Sequence, residues 1–378
     1  MKAIGVIAEY NPFTNGHLYH LHTIKEKYPD YTIVVVMNGH FTQRGDVSII
    51  NKWKRCEIAL QCGADLVVEL PFPFATQSAD FFAYGAITIL EKLQVEKVIF
   101  GSESDQLENL KSIAEIQIDN DDLDKLVKVY SKLGSNYPTA LSNAIYDLTG
   151  KKVDAPNDLL GISYIKTILK NHYHIQPEVI KRTNDYHSLE EGSASSVREK
   201  LKQQEDVLAF IPTEEKPYLI DLHFLEDYFP LLKYKIITEK DLSIYQTVEE
   251  GIEFSLKREI QNCNSIEELI KSIKSKRYTH NKIKRMLLHI LCGFTKEMAQ
   301  NMKHITYIRL LGFNQKGKKY LNAIKKELDV PLISKITREK DFMLEYEIET
   351  TKIYDIPSNE KCIKKEFDKI IELGGNYD

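Results

Sequence analysis

The first two hundred residues alternate short β-branched runs with longer segments of helical periodicity. This alternation is typical of a parallel sheet that is covered by helices on both faces. The predicted strands span residues 3–8, 32–37, 65–70, 96–100 and 174–181. The predicted helices between them span residues 16–27, 51–62, 78–93 and 156–171, and residues 105–150 are expected to insert further helices before the last strand.

The alternation stops after residue 201. Apolar side chains in residues 239–326 recur with helical spacing, as in Ile283, Met286 and Leu287. Two short β-branched runs, at residues 332–336 and 348–354, predict a small strand-bearing tail. Because 378 residues exceed the usual size of one domain, we predict an α/β domain over residues 1–200 and a mainly helical region over residues 201–378.

The five cysteines are scattered along the chain, without a CxxC pair. This pattern predicts reduced, partly buried thiols rather than disulfides or a cysteine zinc site. The longest apolar runs have the length of strands, far below the roughly 20 residues of a membrane helix. The chain opens on a strand-like segment instead of a secretory signal. We therefore expect a cytoplasmic location and no membrane partner.

Charge is sharply segregated along the sequence. The formal net charge is −4, yet residues 271–326 contain fifteen Lys and Arg side chains and a single acid, Glu297, a local charge of +14. A Lys-rich helical face is often only a solvated surface. Here, however, the bias is strong, and rings alternate with cations, as they do in RNA-binding surfaces. The residues concerned are Arg277, Tyr278, His280, Tyr307 and Arg309. We therefore predict that this region contacts RNA.

The segment after the first strand has the features of a phosphate site. A turn, residues 11–15, leads directly into a helix that begins near Gly16. Ligands of parallel sheets collect at the carboxyl ends of strands, where the unpaired amides of a first helical turn attract phosphate. Gly16 would let the backbone approach an anion closely, and His17 can donate to a phosphate oxygen. Asn11 and Asn15 could add neutral donors.

Residues 11–17, Asn-Pro-Phe-Thr-Asn-Gly-His, are similar to the T/HxGH signature of the nucleotidyltransferase and class I aminoacyl-tRNA synthetase superfamily. Thr14 stands where many members have their first His, so His17 is the matched histidine. The superfamily also has a second phosphate motif near the end of its domain, which Ser195, Ser196 and Arg198 resemble. The resemblance implies an α/β fold with a Rossmann-like (HUP-type) nucleotidyltransferase sheet that binds ATP, and His17 as the catalytic residue.

Over nearly its whole length the chain also resembles the tRNA(Met) cytidine acetate ligase family. The matching segments are residues 5–20 (GVIAEYNPFTNGHLYH), 39–46 (GHFTQRGD), 64–73 (ADLVVELPFP), 100–103 (FGSE), 155–161 (APNDLLG), 277–285 (RYTHNKIKR) and 307–314 (YIRLLGFN). Members of the family adenylate acetate with ATP and pass the acetyl group to N4 of the wobble cytidine of elongator tRNA(Met). The resemblance therefore implies ATP, acetate and elongator tRNA(Met) as substrates, with Mg²⁺ accompanying the nucleotide.

The same resemblance implies the ATP contacts. They comprise Ile7, Ala8, Glu9, Tyr10, Asn11, Pro12, Phe13, Thr14, Asn15, Gly16, His17 and His20, and, further along the chain, Gly101, Asn157 and Arg182. At Gly101 the absent side chain would let the nucleotide lie against the backbone. Arg182 could hold phosphates with its fork of donors or could be a solvated side chain. Asn157 could bind the nucleotide or cap its own helix.

Several alternatives remain open on the sequence. The predicted tRNA contacts are Arg277, Lys282, Lys284, Arg285 and Arg309. Residues 43–46, Gln-Arg-Gly-Asp, either help to bind the carboxylate substrate or form a salt-bridged loop. A zinc site at His17 and His20 is disfavoured, because no suitably spaced third or fourth ligand accompanies them. The alternative functions are a small-molecule adenylyltransferase and an RNA-binding protein that keeps a vestigial nucleotide pocket.

Overall fold

The computed structural model describes residues 1–152, 154–182, 192–337 and 341–374. The strands are β1 (Ala3–Ala8), β2 (Thr32–Asn38), β3 (Leu66–Leu70), β4 (Lys97–Ser102), β5 (Gln176–Lys181), β6 (Ile308–Phe313), β7 (Leu332–Ile333) and β8 (Ile371–Glu372). The helices are α1 (Asn15–Lys27), α2 (Lys52–Gln61), α3 (Phe72–Ala75), α4 (Ala79–Lys92), α5 (Leu107–Ile116), α6 (Asp121–Lys132), α7 (Tyr137–Thr149), α8 (Pro156–Lys170), α9 (Ala194–Lys202), α10 (Phe229–Thr238), α11 (Ile252–Glu259), α12 (Ile266–Ile273), α13 (His280–Cys292), α14 (Lys296–Asn301), α15 (Gln315–Ile324) and α16 (Phe342–Tyr354). The five strands and four helices predicted for the first half are confirmed, as is the insertion of helices before β5.

The eight strands form one sheet in the order β5-β4-β1-β2-β3-β6-β7, with β8 beside β6. Strands β1 to β5 are parallel, and β6 runs antiparallel to β3. The chain places β2 and β3 on one side of β1 and then returns to place β4 and β5 on the other. The carboxyl ends of β1 and β4 therefore flank a topological switch point, which is where ligands bind in sheets of this type.

Two segments of the C-terminal half differ from the sequence prediction. Residues 308–313, predicted to be helical, form β6, and all six are buried, because a short, mainly apolar run also suits a central strand. The predicted strand at residues 348–354 is wrong. These residues belong to α16, which Asp341 caps through Met343 N and which buries residues at helical spacing. The sheet thus takes strands from both sides of residue 200, and the domain division there stays a prediction.

A buried ionic cluster joins the C-terminal strands to the rest of the sheet. Lys52 Nζ of α2 lies 2.7 Å from carboxylate oxygens of both Glu69 of β3 and Glu366. Arg309 of β6 donates to the Glu366 carbonyl oxygen at 2.8 Å. Because an unpaired charge in the interior is costly, these groups hold α2, β3 and β6 in one arrangement.

The cysteines and the membrane prediction can be compared with the structure directly. All five cysteines are buried and unpaired, which confirms the prediction that they are thiols without disulfide partners. In the part of the chain that the structure describes, no helix is long and apolar enough to cross a bilayer.

Candidate nucleotide-binding site

The loop between β1 and α1 occupies the topological switch point. Tyr10 has a left-handed φ of 46°, and its ring packs on that of Phe13 with centroids 4.5 Å apart. Both rings are buried, so they support the loop from inside the protein. A Cβ placed on Gly16 would meet Thr14 Oγ1 at 3.7 Å, an ordinary contact. The exposed first turn of α1 is therefore open to an approaching anion.

His17 is held in one orientation by Thr14. The backbone N–H of Thr14 donates to His17 Nδ1 at 3.0 Å, and Thr14 Oγ1 lies 3.2 Å from the same nitrogen. Because Nδ1 accepts, the proton of the neutral ring is on Nε2. Burial, together with the nearby Arg182 and His20, lowers the pKa of His17 to about 3. His17 is therefore a neutral donor at pH 7, and the Thr that replaces the first His of the signature fixes its tautomer.

Arg182 and His20 lie on the same edge as His17. The Arg182 backbone N–H donates to Ser102 O at 3.0 Å, and a Cβ on Gly101 would lie 3.3 Å from Arg182 Cγ. Burial and then the Arg182 charge lower the pKa of His20 to about 4. Its buried Nε2 has no hydrogen-bond partner among the described residues. The structure thus brings His17, His20, Gly101 and Arg182 together.

Asn157 lies beside Glu103, just after β4. Its side-chain amide donates to Glu103 Oε1. The N-cap of α8 is Ala155, so the interpretation of Asn157 as the capping residue is wrong. Asp158, the next residue, accepts from the backbone N–H of Ser104 at 3.1 Å and fixes the loop after β4. Asn157 therefore lies near the carboxyl end of β4, and its contact with ATP stays a prediction.

Helix α9 carries the second phosphate motif to the β1–α1 loop. Arg198 donates to Asn11 O and, at 3.1 Å, to Ser195 Oγ. Ser196 N donates to the N-cap Ser193 at 3.1 Å, so Ser196 takes part in the first turn through its backbone. Burial lowers the pKa of Arg198, against the opposing effect of Asp46 and Glu9. Motifs separated by almost two hundred residues therefore meet at one site.

Asn11 and Asn15 have structural roles that the sequence did not indicate. The Asn11 amide donates to Val47 O at 3.3 Å, and its oxygen accepts from Ile49 N at 2.8 Å. The Asn15 side chain and backbone donate to Ala209 O and Phe210 O, each at 3.0 Å. Both side chains therefore tie the loop to its neighbours, and their contact with ATP stays a prediction.

The loop between β2 and α2 connects the β1 terminus to α13. Glu9 Oε1 accepts from Gln43 N at 2.8 Å, and Lys284 Nζ lies 2.7 Å from Asp46 Oδ2. Gly45 has φ +78°, and a Cβ there would lie 2.3 Å from Arg285 N, so glycine alone fits. Asp46 thus forms the salt bridge of one interpretation, and the contact of residues 43–46 with the carboxylate substrate stays a prediction.

Arg55 of α2 is a buried cation at the carboxyl edge of the sheet, and it was not predicted as a site residue from the sequence. Its fully buried guanidinium donates to the carbonyls of Ile50 at 3.0 Å, Glu9 at 2.6 Å and Asn38 at 3.2 Å, and to that of Gly39. One cation thus holds the carboxyl ends of β1 and β2 together. A signal was available: residues 52, 55, 56 and 59 follow the i, i+3, i+4, i+7 spacing of a buried helical face.

Glu215 is a buried carboxyl group behind the β1–α1 loop. Burial raises its pKa to about 8, although the Phe13 N–H and the Arg55 charge favour the carboxylate. The folded state therefore binds a proton that the unfolded state releases between pH 4.5 and 8, and stability falls as pH rises through that window. We expect Glu215→Gln to raise the free energy of unfolding on the order of 3 kcal/mol at pH 8 and to leave it nearly unchanged at pH 4.5.

Denaturant unfolding at both pH values measures this effect. Glu214→Gln, the same change at the partly exposed neighbouring position, is the control and should show no such difference between the two conditions. Equal stability of Glu215→Gln and the parent chain at pH 8 would show that Glu215 is not held in its protonated form.

The basic segment divides into two surfaces at opposite edges of the sheet. Arg277, Lys282, Lys284 and Arg285 lie near the carboxyl edge, where Arg285 donates to Gln43 O at 3.3 Å. Helix α15 lies at the amino edge, because Lys316 donates to Pro29 O and Tyr320 to Leu93 O, just before β2 and β4. The lysines of α15 therefore do not share the surface of α13.

Three aromatic or cationic side chains of this segment are interior groups. Arg309 is 1% exposed, and Tyr278 and Tyr307 are buried as well. The prediction that Arg309 contacts tRNA is corrected, because its side chain belongs to the ionic cluster with Glu366. Other cations are partly neutralised by acids from elsewhere in the chain: Arg277 Nη1 lies 3.2 Å from Glu250, and Lys282 Nζ lies 4.0 Å from Glu249.

A parallel sheet with a switch point, a neutral His donor after β1 and a second Arg-bearing motif from α9 define a nucleotidyltransferase. Residues 1–369 match the family model of the HIGH Nucleotidyl Transferase. Within the described residues, no group of three or more His, Cys, Asp or Glu is arranged to hold a metal ion.

Curated relatives place the chain more narrowly. A tRNA(Met) cytidine acetate ligase of Geobacillus sp. (strain WCH70) is 39% identical over 362 residues, covering 90% of each protein. The enzyme of that name from Bacillus subtilis (strain 168) is 37% identical over 395 residues, covering 97% of this chain and 95% of the relative. The crystal structure of Thermotoga maritima TmcAL bound with alpha-thio ATP matches with a TM-score of 0.90 and 29% identity, over 99% of this chain and 100% of that one. The chain belongs to the tRNA(Met) cytidine acetate ligase family.

Proposed function

We propose that this chain activates acetate with ATP and transfers the acetyl group to N4 of the wobble cytidine of elongator tRNA(Met). The observation that carries the proposal is the convergence of His17 and Arg198 on the β1–α1 loop, in a chain whose relatives carry that activity in their names. The Thermotoga relative was solved with an ATP analogue, which supports ATP as the nucleotide.

The first half-reaction follows from the donors at this edge. An acetate oxygen attacks the α-phosphate, a new O–P bond forms, and pyrophosphate leaves. His17 Nε2–H, Arg182 and Arg198 are the donors we assign to the phosphate oxygens, whose charge grows in the transition state. A donor fixed in advance, as Thr14 fixes His17, needs no reorganisation when that charge develops.

The second half-reaction transfers the acetyl group. The N4 amine attacks the acetyl carbonyl, an N–C bond forms, the C–O bond of the mixed anhydride breaks, and AMP leaves as the amine gives up one proton. Cys56 and Cys62, the two cysteines of the first half, do not suggest an acyl-enzyme, because burial raises the pKa of both thiols. Positioning of the amine against the anhydride supplies much of the acceleration.

We further propose that Mg²⁺ enters with the nucleotide and that the reaction takes place in the cytoplasm. Nucleotide phosphates supply most of the ligands of Mg²⁺, so few protein oxygens are needed. Carboxylates at this edge, among them Glu9 and Asp46, are engaged with the Gln43 N–H and with Lys284. They leave the phosphates as the main oxygen donors to the ion.

A single assay tests the proposed function. The protein is incubated with ATP, magnesium, radiolabelled acetate and bulk tRNA, and label is sought in the digested nucleosides. We expect label in N4-acetylcytidine, together with acetate-dependent ATP–pyrophosphate exchange in the absence of RNA. Exchange that requires a different acceptor would identify a small-molecule adenylyltransferase instead. RNA binding without any exchange would identify a vestigial nucleotide pocket.

The tRNA is proposed to bind along the N-terminal part of α13 and the turn before it. Arg277 is exposed, and Lys282 Nζ sits 4.3 Å from the centroid of the Tyr278 ring. Lys284 and Arg285 continue the surface toward the β2–α2 loop and so toward ATP. A tRNA on this surface reaches the acyl donor, whereas a tRNA on α15 would lie at the wrong edge of the sheet.

We expect the double variant Arg277→Ala/Lys282→Ala to weaken tRNA binding several-fold at about 0.1 M salt. Each lost phosphate contact should reduce the slope of log K against log salt by about 1. Acetate-dependent exchange should be unchanged, because neither side chain reaches the β1–α1 loop. Filter binding across a salt series measures the tRNA affinity and the slope of log K against log salt.

The matched control for this surface is Lys319→Ala/Lys326→Ala, which removes the same charge from exposed positions at or after α15. It should leave both affinity and salt slope unchanged. If the two double variants lose affinity equally, the assignment of the tRNA to the α13 surface is wrong and the attraction is general.

A further inference from the structure

A cavity of about 170 Å³ lies on the β2 side of the β1–α1 loop, between α9 and the pair α12–α13. Its lining includes Ser195, Arg198, Glu199, Phe224, Glu267 and Lys284. Pockets that enclose drug-sized ligands measure roughly 300 to 1,000 Å³. This cavity is therefore the size for one planar base or a similar group, and it is too small for a nucleoside triphosphate.

The walls of the cavity are connected directly to the phosphate site. Arg198 donates to Asn11 O, and Asn11 in turn donates to Val47 O at 3.3 Å. Val47 and its neighbour Asp46 line the cavity. The opposite wall is α13, through the 2.7 Å ion pair between Lys284 and Asp46. The cavity thus extends from the second phosphate motif to the surface assigned to tRNA.

The sheet order decides which substrate this position suits. Gly101, the predicted contact for adenine or ribose, lies on β4, and Arg182, a predicted phosphate contact, lies just after β5, so both are on one side of β1. The cavity lies on the other side, next to the loop that follows β2. An acceptor must bring its nucleophile to about 3–3.5 Å from the acyl carbon. A group on the β2 side meets the acyl end of the mixed anhydride without displacing the adenosine.

The side chains of the cavity match an aminated base of RNA. Lys202 and Lys284 supply positive charge for the flanking phosphates. Phe224 offers a half-buried ring on which an unstacked base can lie. Carboxylates such as Glu199 accept hydrogen bonds from an exocyclic amine, as Asp and Glu do from cytosine N4.

We propose that this cavity receives the acceptor nucleotide, with its base against Phe224 and its amine directed toward the phosphate motif of α9. The inference rests on the proposed function for the identity of the RNA. It adds the place where the unpaired base is held during transfer and the residues that hold it. Glu199 and Phe224 act on the acceptor and do not contact ATP.

The test introduces a large side chain into the cavity at a lining position of α9. In Glu199→Trp, a large ring replaces an exposed side chain of the lining, and Glu205→Trp makes the same change at an exposed position just after α9, outside the lining. We measure acetate-dependent ATP–pyrophosphate exchange, acetyl transfer to tRNA, and the affinity for a stem–loop RNA with one unpaired cytidine. Glu199→Trp should keep exchange within twofold of the parent and lower both transfer and affinity at least tenfold. Glu205→Trp should change none of them.

A second variant keeps the proposal testable if Glu199→Trp does not fold. Phe224→Ala removes the stacking surface without adding bulk and should lower transfer and affinity in the same direction while sparing exchange. Parent-like transfer and affinity in both Glu199→Trp and Phe224→Ala would overturn the cavity and leave the proposed function intact. If the parent chain binds the stem–loop but never acetylates it, and Glu199→Trp still loses affinity, the cavity is supported and the proposed function fails.

Discussion

His17→Ala is expected to lower acetate-dependent ATP–pyrophosphate exchange by about 10²–10³-fold, the loss that follows removal of one positioned donor to a developing oxyanion. The physical reason is the tautomer. Because Thr14 N donates to Nδ1 at 3.0 Å, the ring presents Nε2–H toward the open side of the loop. The low pKa of about 3 keeps this donor neutral across the working pH range, so its strength does not vary between pH 6 and 9.

The matched control is His22→Ala, the same change on the same helix at an exposed position. It should leave exchange within twofold of the parent. Both variants should bind tRNA with parent-like affinity, because α1 is not part of the α13 surface. Parent-like exchange in His17→Ala would show that this histidine takes no part in the reaction. The main argument that the β1–α1 loop binds ATP would then be lost.

Much of this architecture is predictable from the sequence because the first half obeys simple rules. Strands such as β2 are continuous β-branched runs, and helices such as α2 begin at a capping residue, here Asn51, whose side chain accepts from Lys54 N at 3.0 Å. The helices between successive strands return the chain to the same edge, which gives the parallel order, and that order brings the ends of β1 and β4 together. The location of the nucleotide site follows from that order.

The sequence fails where tertiary context decides between two permitted outcomes. The run Ile308–Phe313 is apolar enough for either a helix or a strand, and pairing with β3 selects the strand. Residues 348–354 contain β-branched side chains, yet their burial pattern and the Asp341 cap belong to a helix. Charge is equally ambiguous: Arg309 and Lys326 look alike in sequence, but one is buried in the ionic cluster and the other is exposed.

Arg55 shows the same ambiguity within the site itself. In the run Lys-Trp-Lys-Arg, residues 52–55, it resembles a solvated cation of a surface helix. The structure buries it completely and surrounds it with carbonyl oxygens at the ends of β1 and β2. Burial lowers its pKa to about 10, with Tyr354 and Glu9 opposing the shift, so the group is still charged at pH 7. Its charge is dispersed over backbone dipoles rather than paired with one carboxylate.

We expect Arg55→Met to lower the free energy of unfolding by on the order of 5 kcal/mol, because it leaves the buried carbonyls of Glu9, Asn38 and Gly39 without their donors. Met has a similar length, so the loss reports hydrogen bonding rather than a cavity. Denaturant unfolding measures it. Arg258→Met, at a side chain 69% exposed and paired with its neighbour Glu259, is the control and should change stability by no more than about 0.5 kcal/mol.

The variant also separates the two roles of Arg55, support of the fold and support of the site. At a temperature where Arg55→Met is still folded, its affinity for an ATP analogue should fall, because the ends of β1 and β2 are no longer held together and the β1–α1 loop loses its fixed position. Exchange should fall with it, whereas tRNA affinity should not, since the α13 surface is anchored separately through Lys284 and Asp46. A folded Arg55→Met with parent-like stability and nucleotide affinity would mean that other contacts, such as those of Asn11 with Val47 and Ile49, suffice to hold this edge of the sheet.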